Sequence, residues 1–454
     1  QRETRLFPSE SMLKQPDNIP VTHHKIWQIA GPMILANISV PLLGMVDTAV
    51  MGHLNSPHFL GAVAVGTLIF SFLFWGFGFL RMATTGLIAQ AVGHNDPEHY
   101  QQQLLQRTLL FALFIASLLL LFQTPLSHLA FYAMGASDLV THYGQEYFSI
   151  RIWSAPAILA NYVILGCLIG LSATRSALIL VLTINIVNIA LDLLFVIVFD
   201  MAVEGVALAS VFAEYLGLVV SYRLLKINRI KLLPLMFTFG FQLDYELRHL
   251  LKLHGNIFIR TLCLMFSFAF FMAQSAKQGD IVLAANAVLL HFITFMAFFL
   301  DGFANATEVI TGNAIGNKDK YQLKRGLTYT ALWSGVIATL FSFGYYFWGS
   351  TIINLLTTIP SVITVANEYL LWLVIAPIIG VWSYLLDGFF IGATRSAEMR
   401  NTMIFSTLVC FLPAWYFLQG LGNHGLWLAL IIFLASRAVG QACYLPKILS
   451  NKYA

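Results

Sequence analysis

Apolar residues come along this chain in long unbroken runs, where a half-exposed strand or helix would show alternation or stripes. Ala177–Phe199 and Phe258–Ala276 each carry a single charge. A helix needs roughly 20 apolar residues to cross about 30 Å of hydrocarbon, and helices in soluble cores are usually shorter. The runs therefore predict about twelve spanning helices, near 26–52, 59–92, 104–123, 143–167, 177–199, 205–226, 252–276, 281–314, 327–348, 364–392, 402–419 and 425–446. Several are longer than a crossing requires, which predicts tilts or bends. The fold class is an all-α integral membrane protein.

Composition agrees with this pattern. Of 454 residues, 58% are hydrophobic and 10% charged, whereas a soluble domain carries about a quarter charged residues. The net charge of +4 matters less than where the basic residues lie. With twelve spans, most of the 25 Lys and Arg residues fall on the side holding both tails and the loops His94–Arg107, Ala173–Ala177, Arg223–Lys252, Asn317–Arg325 and Ala393–Arg400. Lys277 lies on the other side, and Arg81, Arg151 and Arg260 lie within or at the ends of spans. The positive-inside rule makes the basic side cytoplasmic, with both termini there. Cys167, Cys263, Cys410 and Cys443 sit in apolar runs without paired spacing, so they read as packing residues, with no disulfide or metal site. Residues Gln1–Pro20 are polar and lack the apolar core of a signal peptide. Those before Met12 read as a tail.

The two halves of the chain resemble each other. Leu60–Asp96 aligns without a gap on Leu283–Asp319, with Ala-Val-Gly-His-Asn-Asp at 91–96 answering Ala-Ile-Gly-Asn-Lys-Asp at 314–319. Ala173-Thr174-Arg175-Ser176-Ala177 recurs at 393–397, and Gly205-Val206-Ala207-Leu208-Ala209 answers Gly425-Leu426-Trp427-Leu428-Ala429. Three collinear matches at an offset of about 220 residues indicate a duplicated unit. The expected organisation is an N-terminal tail (1–25), an N-lobe of six spans (26–227), a cytoplasmic linker (228–249), a C-lobe of six spans (250–447) and a C-terminal tail (448–454). Each half has an even number of spans, so the lobes are related by a pseudo-two-fold axis along the membrane normal. Parallel repeats with a substrate site between them are a transporter architecture.

At these residues the sequence resembles the multidrug and toxic compound extrusion family, in its DinF-type branch. The resemblance covers Ile26 to Lys447. It rests on Gly31-Pro32 and Val46-Asp47-Thr48-Ala49, on Asn188-Ile189-Ala190-Leu191-Asp192, on Leu300-Asp301-Gly302-Phe303-Ala304 with Glu308, and on the doubled Ala-Thr-Arg-Ser-Ala. It implies secondary-active export of amphipathic, often cationic drugs and organic cations, driven by inward flow of H⁺ or Na⁺. It also implies a V-shaped pair of lobes that open alternately to either side of the cell inner (plasma) membrane. The expected partners are these small molecules and membrane lipid, with the chain acting as a monomer and needing no cofactor beyond the coupling ion.

A charge at mid-bilayer costs roughly 3 kcal/mol on insertion scales, so every intramembrane acid requires an explanation. The acids are Asp47, Asp192, Glu214, Asp301, Glu308 and Asp387. Asp47 leads. Carboxylates held out of water exchange protons nearer neutral pH than they do in solution, and Pro32, Pro41 and Gly44 weaken the first helix around it, so that protonation could bend it. The plainer alternative is an Asp that caps or is hydrated near the outer end of the span, close to His53 and Asn55. Asn188 and Asp192 lie one turn apart on one helix face, and the resemblance brings that face against the first helix. It also nominates Tyr147, Asn161 and Ser210, although such residues in a bundle are commonly interhelical hydrogen-bonding groups. Asp301, Glu308 and Asp387 are C-lobe candidates for substrate or a second ion. Their plainer role is a structural ion pair with Arg260 or another arginine. The seventh span has no acid, unlike one branch of the family.

Three other readings are weighed. Na⁺ coupling at the same cluster needs the same ligand types. A lipid-linked oligosaccharide flippase of related fold would need a strongly cationic cavity, which three intramembrane arginines hardly supply. An enzyme is not expected, because there is no HExxH and no buried histidine cluster, with His291 alone reading as buried. Nucleic-acid binding is not expected either, since the basic residues follow the membrane surface.

Overall fold

The computed structural model describes residues 20–51, 57–135, 137–230 and 245–450. All described regular structure is helical. The spans are, in order, the first, His23–Met51; the second, Pro57–Gly76 continued by Phe79–Gln90; the third, Pro97–Leu121; the fourth, Asp138–Arg151 and Ala155–Gly170 joined by a 3₁₀ turn at Ile152–Ser154; the fifth, Thr174–Asp192, prolonged by a π turn at Leu193–Val198; and the sixth, Val203–Ile227. In the second half come the seventh, Tyr245–Lys277; the eighth, Asp280–Gly316; the ninth, Lys320–Leu356; the tenth, Leu370–Gly392; the eleventh, Ser396–Phe405, a π turn at Ser406–Phe411 and Leu412–Phe417; and the twelfth, Asn423–Ala442. Among the described residues, eleven helical stretches are long and apolar enough to cross a membrane. The eleventh span is the twelfth crossing, and Glu398, Arg400 and Asn401 near its start make it less apolar than the others.

Several spans start earlier than the sequence predicts. The third begins at Pro97, where the Asp96 side chain accepts from the His99 amide. An aspartate N-cap followed by Pro at the first position is a strong helix start. Residues 97–107, read from the sequence as loop, are thus the first turns of the third helix. Most of the predicted linker 228–249 lies outside the described residues, as do most of both tails.

The halves repeat each other in packing as well as in sequence. The first span packs on the fifth, and the seventh on the eleventh. The second packs on the fourth and the eighth on the tenth, while the sixth and twelfth cover the fifth and eleventh. Glycines make the second-to-fourth and eighth-to-tenth contacts close. A Cβ on Gly166 or Gly170 would stand 2.4 or 2.8 Å from the carbonyl oxygens of Arg81 and Thr85. On Gly388 or Gly392 it would stand 2.3 or 2.2 Å from those of Ala304 and Glu308, the repeat mates of Arg81 and Thr85. Small residues let backbones approach where lipid gives no hydrophobic drive for helix association.

The lobes meet at the end that carries the basic loops. Gln90 Nε2 donates to the Gly392 carbonyl at 2.8 Å, and the Val21 amide donates to Gln322 Oε1 at 2.8 Å. Gly93 lies against its own repeat mate: a Cβ on it would fall 1.8 Å from the Gly316 oxygen. Towards the opposite end, a cavity of about 1130 Å³ lies between the first, eighth and ninth spans, lined by Pro41, Gly44, Phe295, Phe299, Phe341 and Trp348 among others.

Candidate ion-coupling and substrate site

The first and fifth spans run in the same direction and hold one register. Pro32 has no N–H, so the Gln28 carbonyl loses its helical partner; the Thr174 hydroxyl supplies one at 3.0 Å. About three turns further on, Asn185 Nδ2 donates to Ser39 Oγ at 2.7 Å. Both contacts join residues 146 apart, and continuing that register brings Asp192 level with residues 46–47 of the first helix. The side chain of Asp47, like His53 and Asn55, lies outside the described residues.

Asp192 is fully buried and ends the α-helical part of the fifth span, just before its π turn. Such turns concentrate at functional sites. Asn188 Nδ2 donates to Asp192 Oδ2 at 2.7 Å, while its own oxygen accepts from the Ser210 hydroxyl at 3.1 Å. Ser210 Oγ in turn accepts from Arg151 Nη1 at 3.1 Å, and Arg151 also donates to the Tyr147 hydroxyl. Thr67 Oγ1 lies 3.2 Å from that hydroxyl. Donors therefore run one way, from the guanidinium through Ser210 and Asn188 to the carboxylate. Of the residues nominated from sequence, Asn188, Asp192, Tyr147 and Ser210 come together. Asn161 joins a neighbouring group instead, donating to Glu214 Oε2 at 2.9 Å and to the Glu214 carbonyl at 3.0 Å.

In the second half, Asp387 is enclosed by cations. Its Oδ2 accepts from Arg260 and from Arg437 Nη2 at 2.6 Å, and its Oδ1 from Gln441 Nε2 at 2.6 Å. Arg437, which falls within the predicted twelfth span 425–446, is 2% exposed there. Asp301, Asn305 and Glu308 share one face of the eighth span. Arg81 of the second span crosses to that face, donating to Asn305 Oδ1 at 2.9 Å, and lies within electrostatic reach of Asp301 and Glu308. Glu308 is 2% exposed and sits beside Thr85. An ion pair is what surrounds Asp387 and Arg260, whereas Asp301 and Glu308 face an arginine from the other lobe.

The histidine expectation is corrected. His291 is exposed on the wall of the aromatic cavity. Among the described histidines His254 is the buried one, at 1% exposure, between the rings of Phe79 and Phe111 with Nδ1 2.8 Å from the Leu250 oxygen. It stands close to the basic end of its span, which is why the sequence alone read it as a span-end residue.

The MatE family model matches residues 32–194 and 257–416, one match in each half. The chain belongs to the MatE family. Its members are transporters rather than enzymes, and this one is a multi-pass membrane protein with twelve crossings in two lobes. It is 44% identical to DNA damage-inducible protein F of Escherichia coli (strain K12), over 92% of this chain and 90% of that one. It is 24% identical to the probable multidrug resistance protein NorM of Bacillus cereus (strain ATCC 10987 / NRS 248), over 89% and 90% of the two chains. Among solved structures it is similar to MATE in the bent conformation, with a TM-score of 0.85, 19% identity and coverage of 93% and 95%. It is similar as well to an outward-facing multidrug resistance MATE family transporter of the MOP superfamily, with a TM-score of 0.84, 20% identity and coverage of 94% and 96%. Those two likenesses establish the MatE fold.

Proposed function

We propose that this MatE chain is an H⁺-coupled antiporter that exports amphipathic, often cationic compounds across the inner membrane, with both termini in the cytoplasm, acting as a monomer. Asp47 and Asp192 carry the coupling proton, and Asn188, Tyr147 and Ser210 set the polar surroundings. The first helix, weakened at Pro32, Pro41 and Gly44, is the moving element. One observation supports this reading above the others: Asp192 is withdrawn from solvent at the end of a hydrogen-bonded chain, level with residues 46–47 of the first helix. The names of the relatives point to drug efflux, and the concentration of Lys and Arg on one face supports the orientation.

Exchange of one proton for one monovalent cation moves no net charge, so only the pH difference drives it, by about 1.4 kcal/mol per unit. A second proton would add the membrane potential, roughly 2.3 kcal/mol per 100 mV. Two acids in one lobe allow that second case. Asp301 and Glu308, facing Arg81 across the lobes, are proposed to contact substrate, and Asp387 with Arg260 to hold the C-lobe together.

The test is ethidium efflux from proteoliposomes under an imposed pH gradient in sodium-free buffer. Wild-type protein should export, and Asp47→Asn and Asp192→Asn should reduce the rate at least tenfold while eluting as monodisperse protein. Normal efflux from folded Asp47→Asn would remove the assignment, and efflux that needs sodium would replace H⁺ with Na⁺.

A further inference from the structure

We infer that Arg151 is the ion-selectivity residue of this site: a cation tethered among the N-lobe oxygens, which excludes Na⁺ and leaves the proton as coupling ion. The inference rests on the H⁺-coupled reading above.

Arg151 ends the first piece of the fourth span, and the chain then tightens into the Ile152–Ser154 turn. Its guanidinium carbon stands 5.5 Å from the ring centroids of Phe70 and Tyr147, so one side of the group is walled by aromatics. Its donors reach the Tyr147 hydroxyl and Ser210 Oγ, and Ser210 is joined through Asn188 to Asp192. Glu214 of the sixth span lies within its electrostatic reach, and Asp192 of the fifth is linked to it through Ser210 and Asn188.

Na⁺ is a hard cation that must surround itself with oxygen ligands. The oxygens available to it here include those of Tyr147 and Ser210, which already accept from Arg151. A guanidinium stays charged at every physiological pH. It therefore keeps its charge throughout the cycle and, in this conformation, holds those lone pairs, so that Na⁺ would have to displace it to gain its ligands. A proton makes a different demand, since it bonds to one carboxylate oxygen and needs neither a ligand shell nor room. Because Arg151 cannot itself release a proton, it screens the site without taking part in the exchange.

The test is saturable binding of radioactive ²²Na⁺ to purified protein at fixed ionic strength, alongside proteoliposome efflux of ethidium under separate H⁺ and Na⁺ gradients. Wild-type protein and Arg151→Lys should bind no Na⁺ saturably and should ignore a Na⁺ gradient. Arg151→Gln and Arg151→Met should gain saturable Na⁺ binding, at least tenfold tighter than any in the wild type, and sodium-driven efflux. Tyr147→Phe keeps the charge but releases one of its holds, and should gain a weaker sodium response. Saturable Na⁺ binding by the wild type overturns the inference without any variant. So does a folded Arg151→Gln that stays blind to sodium, or, where neither neutral variant folds, a sodium-blind Tyr147→Phe. If wild-type efflux ignores the pH gradient, the coupling reading fails. If it follows the pH gradient while the neutral variants remain sodium-blind, only the role of Arg151 fails.

Discussion

Asp387 holds two guanidinium groups and a side-chain amide inside a region with little access to water. Removing one partner from such a group strands the others, which is far costlier than the group's own net contribution. Asp387→Ala should therefore destabilise the protein by about 3 kcal/mol, seen as a lowered apparent Tm in detergent. Asn188 and Asp192 were legible from sequence because they stand one turn apart in an otherwise apolar run. The surroundings of Asp387 were not, because its partners come from spans 127 and 50 residues away. Arg151 was visible as a charge near the bilayer, but only folding shows that it points at Ser210. The side chains of Tyr147 and Asn161 looked equivalent in sequence, and helix rotation sends them to different networks.

At the scale of the helix, Pro32 and Thr174 form a matched pair. The proline leaves the Gln28 carbonyl without its usual donor, and a hydroxyl from the fifth span fills the gap. Thr174→Val should cost about 1–2 kcal/mol, the desolvation penalty of a stranded acceptor. In a Pro32→Ala background the same change should cost much less, because the new amide takes over the carbonyl; a double-mutant cycle on apparent Tm measures the coupling. Run lengths made the twelve spans legible, since hydrophobicity decides whether a segment crosses. They did not show the π turns in the fifth and eleventh spans, because an extra residue per turn changes hydrogen bonding without changing composition. Nor did they show that the third helix begins at Pro97, ahead of the apolar run, where the local capping residues at 96 and 97 decide.

At the scale of the molecule, the lobes close on glycine. An alanine at 93 would place its methyl 1.8 Å from the Gly316 oxygen, which only a parting of the backbones relieves. Gly93→Ala should thus favour states open at the basic end, read as faster labelling of a cysteine at position 305 from that side. Gly31→Ala, with no foreign atom within 4 Å of the added methyl, should leave labelling at the wild-type rate. The internal repeat was plain in the sequence; which side the lobes close on depends on contacts between segments more than 200 residues apart, which no local pattern encodes.

Gly93 and Gly316 occupy the same place in the two repeats and touch each other. A position that contacts its own counterpart must lie beside a two-fold axis, the geometry of an isologous dimer interface. The seam consequently owes little to the peptide bonds that join the lobes. Two separately translated fragments, cut within residues 231–244, should find one another in the bilayer and rebuild it, as two identical subunits would before any gene fusion.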